Sequence, residues 1–228
     1  MNEGTTAITI LEDPDNNFDN DEYLDCLHEI PSDIALVGHI SSDPRTLDEA
    51  LQGTNAEDWQ EALDYEINQL EKLKTWVVEK LPHGHTPIQC NKVIKVKHGP
   101  NGEIKSYRVR IVASGHHQVE GVNYTETFSA ATKMPTVHVV LANAAHQSWE
   151  IEHIDIKSAY LNAPLKEEID MQPPQGVLKP GQEGMVLRLL KGLYGLKQAS
   201  RGWYLEMLRI LIKEMKFKCS GIDHSVFY

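Results

Sequence analysis

Apolar residues recur along this chain with two different periods, and the change of period marks its elements. From Trp59 they run Trp59, Leu63, Ile67, Leu70 and Leu73, at spacings of four, four, three and three. That spacing predicts an amphipathic helix with one core-facing stripe. Asn55 stands where a helix cap belongs, and Asp58 favours the positive end of the helix dipole. Two strand-like runs follow, Lys92–His98 and Ile104–Ala113, separated by Gly99-Pro100-Asn101-Gly102, which reads as a hairpin turn. In the second run the period becomes two. Tyr107, Val109, Ile111 and Ala113 fall on one face, and Arg108, Arg110 and Val112 fall on the other. The first face is expected to be buried. The two arginines read either as phosphate ligands or as an ordinary solvated sheet face.

Pro135-Thr136 opens a helical stretch over Val137–His146. Trp149–Ile156 reads as a strand, with Ile154 and Ile156 on one face and Asp155 on the other. Met185–Leu190 reads as another strand. Ser200 stands as the cap of a last helix carrying Trp203, Met207, Ile210, Leu211 and Met215. Val226-Phe227-Tyr228 reads as the start of a strand without sheet neighbours, an open apolar edge. Helices and strands mix without a regular βαβ period, so the expected fold class is α+β.

Composition changes this picture at the N-terminal end. Residues 1–70 hold 18 acidic side chains against the single Arg45, a charge of -17, whereas residues 71–228 hold 21 Lys and Arg against 15 Asp and Glu, a charge of +6. Residues 1–44 are therefore expected to be an acidic, disordered tail, with Ile34-Ala35-Leu36-Val37 as a short apolar island in it. The remaining part, from residue 45, is mildly basic, as a phosphate-binding surface is. Cys26, Cys90 and Cys219 are isolated and odd in number, which fits a reducing, intracellular compartment, cytoplasm or nucleus. His83-Gly84-His85 and His116-His117 lack cysteines at zinc spacing and read as solvated loop residues. No secretory leader and no membrane span is expected.

Six blocks, in order, carry a resemblance. They are Trp59-Gln60-Glu61-Ala62 with Glu66 and Leu70, then Thr75-Trp76, Tyr107–Ala113, Gly121–Ser129, Ile154–Asn162 around Asp155, and Leu193–Ala199. Together they resemble the reverse transcriptase domain of copia-type LTR retrotransposon Pol polyproteins, over residues 45–228. The resemblance implies the fingers and an incomplete palm of a right-hand polymerase, an antiparallel sheet with packed helices, fingers-like over about 45–147 and partial palm over 148–228. It implies a nucleotidyltransferase, an RNA-directed DNA polymerase, working by two-metal phosphoryl transfer on an RNA or DNA template–primer and a deoxynucleoside triphosphate.

Magnesium takes hard oxygen ligands. By resemblance, Asp155 supplies a carboxylate and Ile156 a main-chain carbonyl, and the other reading of Asp155 is a helix cap. Lys157, Ser158 and Ala159 would offer backbone N–H groups to the triphosphate. Tyr160 would exclude a ribose 2′-hydroxyl, its other reading being a core tyrosine. Arg108 and Arg110 would grip the triphosphate. Gly195, Lys197 and Gln198 would pack against nucleotide and template, and Gly195 permits close backbone approach.

The chain also departs from the family pattern. Ser114-Gly115-His116 stands where Lys-Gly-Phe is usual, Ser200 where Pro is, and Gly202 where a long side chain is. The family's paired metal-binding aspartates have no counterpart, since no Asp-Asp dipeptide occurs anywhere in the sequence. The expectation is a retroelement fragment that does not polymerise alone. The alternative is a non-catalytic nucleic-acid-binding remnant of such a polyprotein.

Overall fold

The computed structural model describes Ile8–Thr9 and residues 44–228. The expected acidic tail, with its apolar island, lies outside the described residues except for Ile8–Thr9. In chain order the elements are strand β1 (Ile8–Thr9), helix α1 (Leu47–Ala50), helix α2 (Ala56–Lys72), β2 (Trp76–Lys80), β3 (Cys90–His98), β4 (Ile104–Ala113), α3 (Met134–Gln147), β5 (Pro164–Met171), β6 (Met185–Lys191), α4 (Ala199–Leu208) and β7 (Val226–Phe227). A 3-10 turn at Ala159–Asn162 precedes β5, and a π turn at Arg209–Glu214 extends α4. The mixture of helices and antiparallel sheet is the α+β class read from the sequence.

Helix α2 buries Trp59, Leu63, Ile67 and Leu70, the residues of the apolar stripe. Each large apolar side chain taken from water contributes roughly 1.5–3 kcal/mol. The stripe joins a core with Val109 and Ile111 of β4 and Leu187 and Leu189 of β6. Trp59 meets the Tyr107 ring edge-on at 4.8 Å. Asn55 holds the cap position of α2 but makes no side-chain cap bond.

β3 and β4 form the expected antiparallel hairpin, with Ile94 opposite Val109. Gly102 at φ 83° closes its turn. Along β4, Val109, Ile111 and Ala113 are buried while Arg108 is exposed, so period-two alternation decides the faces. A second sheet has the antiparallel order β2-β6-β5.

Polar groups tie this sheet together. Asp170 of β5 is buried and accepts from Arg188 Nε of β6 at 2.7 Å, while the Nδ1–H of His85 donates to it at 2.8 Å. Arg188 also pairs with Glu79 of β2 at 3.0 Å. His85 is therefore anchored to the sheet rather than merely solvated. A second core cluster gathers Ala163, Trp203, Met207, Leu211 and Phe227 beside α4.

Three expectations are corrected. Trp149–Ile156 is irregular, not a strand. A strand exists only if its N–H and C=O groups find a ladder partner. The Trp149 N–H closes the end of α3 on the Ala144 carbonyl at 2.9 Å, and the segment joins no sheet among the described residues. Ile151 and Ile154 are accordingly 61% and 66% exposed. Ser200 is not the cap of the last helix: α4 begins at Ala199, and Gln198 takes the cap position. The β7 edge is not open. It pairs antiparallel with β1, bridges Cys219 on its other side, and Phe227 is fully buried. β5 and the strand extent of β2 were not expected. Among the described residues, no helix is long and apolar enough to cross a membrane.

Candidate functional site

The alternation of β4 puts Arg108 and Arg110 off its core face. Opposite them, the irregular segment after α3 brings in Asp155, Ile156, Lys157 and Ser158. These residues, 45 or so positions apart in sequence, line one cavity of about 710 Å³ with Asp58, Glu61, Glu66, Tyr107 and Tyr194. The cavity has an acidic wall on α2 and a basic wall on β4.

Ser158 adopts a left-handed backbone at φ 54°. For a residue other than glycine this conformation is costly, and such costs gather at functional turns. It caps the 3-10 turn, and its carbonyl accepts from the Leu161 N–H at 2.9 Å and from Asn162 Nδ2 at 3.1 Å. Asp155 lies three residues before this cap residue and is exposed. The helix-cap reading of Asp155 therefore falls.

Ala159 and Tyr160 start the 3-10 turn after Ser158 and are not among the residues that line the cavity. The Tyr160 ring lies 5.1 Å from the Tyr194 ring, inclined at 56°. Tyr194 also meets the Arg110 guanidinium, 5.5 Å from the ring centre, within cation–π range. Burial pushes the Tyr194 hydroxyl above the usual phenol range, against the pull of Arg110.

Glu66 extends from α2, and its Oε1 accepts from the Ile111 N–H at 3.3 Å. Burial raises its carboxyl above the usual range, and the Ile111 bond, Arg110 and Arg108 oppose that rise. The sequence reading did not place Glu66 or Tyr194 in the site. Both sit inside blocks that carried the resemblance, and that was the available signal.

Gly195, Lys197 and Gln198 stand elsewhere. Gly195 has φ 86°. The Tyr194 carbonyl accepts from the Ala113 N–H at 2.8 Å, and a Cβ on Gly195 would overlap the Ala113 carbonyl. A Cβ on Gly115 would likewise overlap the Gly195 carbonyl. Two glycines thus let the 192–198 turn close onto the end of β4.

The Lys197 N–H donates to Gln118 Oε1 at 2.8 Å, and its ammonium sits over the Tyr124 ring at 4.8 Å. Gln198 is buried, donates to the Asn123 carbonyl at 2.8 Å and accepts from Gln118 at 2.9 Å. These two side chains fasten the 118–124 loop and do not line the cavity with Asp155. Gln198 also borders a smaller cavity of about 320 Å³, near the Arg201–Glu126 ion pair.

Magnesium fits Asp155 only in part. One carboxylate and one neighbouring carbonyl suit an ion that is also held by substrate phosphates. A pair of ions needs more carboxylates, and among the described residues no group of three or more His, Cys, Asp or Glu side chains gathers to hold a metal.

Residues 73–228 match the family described as Reverse transcriptase (RNA-dependent DNA polymerase). The chain is 36% identical over 164 residues to the Retrovirus-related Pol polyprotein from transposon TNT 1-94 of Nicotiana tabacum, covering 72% of this chain and 12% of that protein. It is 35% identical over 187 residues to the Retrovirus-related Pol polyprotein from transposon RE1 of Arabidopsis thaliana, covering 82% and 12%. Against the Transposon Ty1-BL Gag-Pol polyprotein of Saccharomyces cerevisiae it is 33% identical over 160 residues, covering 68% and 9%. The chain thus spans about an eighth or less of the length of these relatives. No solved structure matches it. A match over more than half of its length, with relatives that are all retrotransposon polyproteins, means that this chain belongs to the reverse transcriptase family, in its copia-type branch.

Proposed function

We propose that this chain carries the nucleotide-gripping part of a reverse transcriptase site. It binds a deoxynucleoside triphosphate, with magnesium, beside a template–primer of RNA or DNA. One observation carries this reading: Arg108 and Arg110 share a cavity with Asp155, Ile156, Lys157 and Ser158. In it the planar guanidinium groups bind phosphate oxygens in pairs. The backbone N–H groups of residues 157–159 receive the same phosphates. The Tyr160 ring excludes a ribose 2′-hydroxyl, so deoxynucleotides are selected by shape. Asp155 and the Ile156 carbonyl hold the cation that travels with the triphosphate. That cation, when bound, neutralises phosphate charge.

With Asp155 as the only carboxylate this reading assigns to a metal, the 228-residue chain binds nucleotide but does not extend a primer. Primer extension on an RNA template is then an activity of the longer polyprotein to which such a domain belongs.

Calorimetric titration of the chain with magnesium–dATP tests the first statement. The double change Arg108→Ala, Arg110→Ala should weaken binding at least about ten-fold, since each bond to a charged group contributes ~1.5–3 kcal/mol. An unchanged affinity would refute the assignment of the arginines. In a primer-extension assay, template-dependent incorporation above that of Asp155→Ala would overturn the second statement.

A different reading has its own support in the +6 charge of residues 71–228: a remnant that holds nucleic acid by its backbone alone. It requires duplex affinity that falls steeply with salt and no affinity for the free nucleotide.

A further inference from the structure

Tyr194 lies between the two parts of the proposed site. Its ring contacts both the Tyr160 ring and the Arg110 guanidinium, at 5.1 Å and 5.5 Å. Its backbone cannot shift easily. The carbonyl is bonded to the Ala113 N–H at the end of β4. The next residue, Gly195, is pressed against Ala113 at a φ that disfavours any side chain. The ring therefore grows from a turn fastened to the end of β4, the strand that carries the arginines. Tyr160, by contrast, sits on a four-residue 3-10 turn that follows the irregular, exposed segment 149–156. Two of its restraints come from the opposite side: its ring rests on Tyr194, and its carbonyl lies so near Gly192 that a Cβ there would come within 2.9 Å.

We infer that Tyr194 is a positioning residue for sugar selection, fixing how far the Tyr160 ring stands from the arginine that receives the phosphates. This rests on the nucleotide-binding reading given above. Exclusion of a single hydroxyl is a matter of a fraction of a side chain's width. A Tyr160 ring free to tilt would admit the ribonucleotide while leaving the phosphate contacts in place. Tyr194 need not touch the sugar to have this effect. It acts through the ring it supports, with geometry in the range where aromatic pairs attract.

The test compares magnesium–dATP and magnesium–ATP binding by the full chain in four forms: wild type, Tyr194→Phe, Tyr194→Leu and Tyr194→Met. Circular dichroism and thermal melting check that each is folded, and either aliphatic variant suffices if the other unfolds. Wild type and Tyr194→Phe should prefer the deoxynucleotide to the same degree, because the phenylalanine keeps the ring. The aliphatic variants should lose that preference by about ten-fold, the scale of one aromatic pair, mainly through a gain in ATP affinity. A preference that survives unchanged in a folded aliphatic variant overturns the inference and leaves the nucleotide-binding reading intact. Wild-type protein that binds neither nucleotide refutes that reading, and the inference with it. A merely structural role for Tyr194 would weaken both nucleotides together and leave their ratio where it was, which also counts against the inference.

Discussion

Two places in this molecule set aspartate against arginine, and they use the pair differently. In the sheet, Asp170 is buried against Arg188, with His85 on its other oxygen and Glu79 also paired with the guanidinium. In the cavity, Asp155 is exposed, and it shares open space with Arg108 and Arg110. The first set has its hydrogen-bonding capacity filled by neighbouring strands, and it holds the sheet together. The second set lines a cavity of about 710 Å³, which under the proposed function receives the nucleotide. Burial, rather than residue type, separates the carboxylate that ties the sheet together from the one proposed to meet a ligand.

The sharpest way to break this contrast is to remove each aspartate in turn. Asp170→Ala leaves Arg188 and His85 facing a buried void, and it should cost about 3–5 kcal/mol of stability, read as an earlier midpoint in urea. Asp155→Ala should change stability by less than about 0.5 kcal/mol, as exposed substitutions do, while reducing magnesium-dependent nucleotide binding. Equal losses of stability from the two would end the distinction.

A smaller effect concerns pH, and it separates two further carboxylates of opposite sign. Glu66 is raised by burial, so the folded state holds its proton more tightly than the unfolded chain does. Its favourable contribution is complete below the ordinary value of 4.5 and is lost as pH rises through the higher folded value. Glu66→Gln should therefore gain stability relative to wild type between acid and neutral pH.

Asp223 is lowered to about 2 by bonds from the Ser225 hydroxyl, the Thr136 hydroxyl and the Ser225 N–H. Its contribution is present above the ordinary value of 3.8 and is lost as pH falls toward 2. Asp223→Asn should flatten the acid side of the stability curve and leave the neutral side alone. Unfolding midpoints measured across pH would show whether the cavity carboxylate and the structural one move in opposite directions.

The smallest effect lies in the packed part. A Cβ on Gly202 of α4 would meet only the Ala163 methyl, at an ordinary 3.6 Å. Gly202→Ala should thus raise stability by up to ~1 kcal/mol, seen as a modestly higher melting temperature.

The sequence was most readable where a local period and a buried face coincide. The α2 stripe and the alternation of β4 were visible because each was set by its own spacing, and the hairpin turn declared itself through Gly99 and Gly102. Readability failed where structure depends on a distant partner. Trp149–Ile156 has the composition of a strand, but no ladder forms without an adjacent chain segment. β5 reads Pro-Leu-Lys-Glu-Glu-Ile-Asp-Met, with little alternation, and its pairing with β6 shifts register between Pro164 and Ile169. The site followed the same rule. Arg108, Arg110 and Asp155 were named by their motifs, whereas Glu66 and Tyr194 acquire a place in the cavity only when α2 and the 192–198 turn fold onto β4. His85 was read as solvated because nothing in its neighbourhood announces Asp170, 85 residues away.

The contact between Gly115 and Gly195 has a mechanical consequence. Neither position has room for a methyl group, and the carbonyl of one occupies the space a Cβ of the other would need. The joint between β4 and the Tyr194 turn thus has no compliant side chain in it to absorb a displacement. A displacement at the end of β4 is therefore expected to pass into the aromatic pair at Tyr194. Flexing between the hairpin and the rest of the chain is then expected elsewhere, and the irregular stretch at 149–156 lies outside that joint.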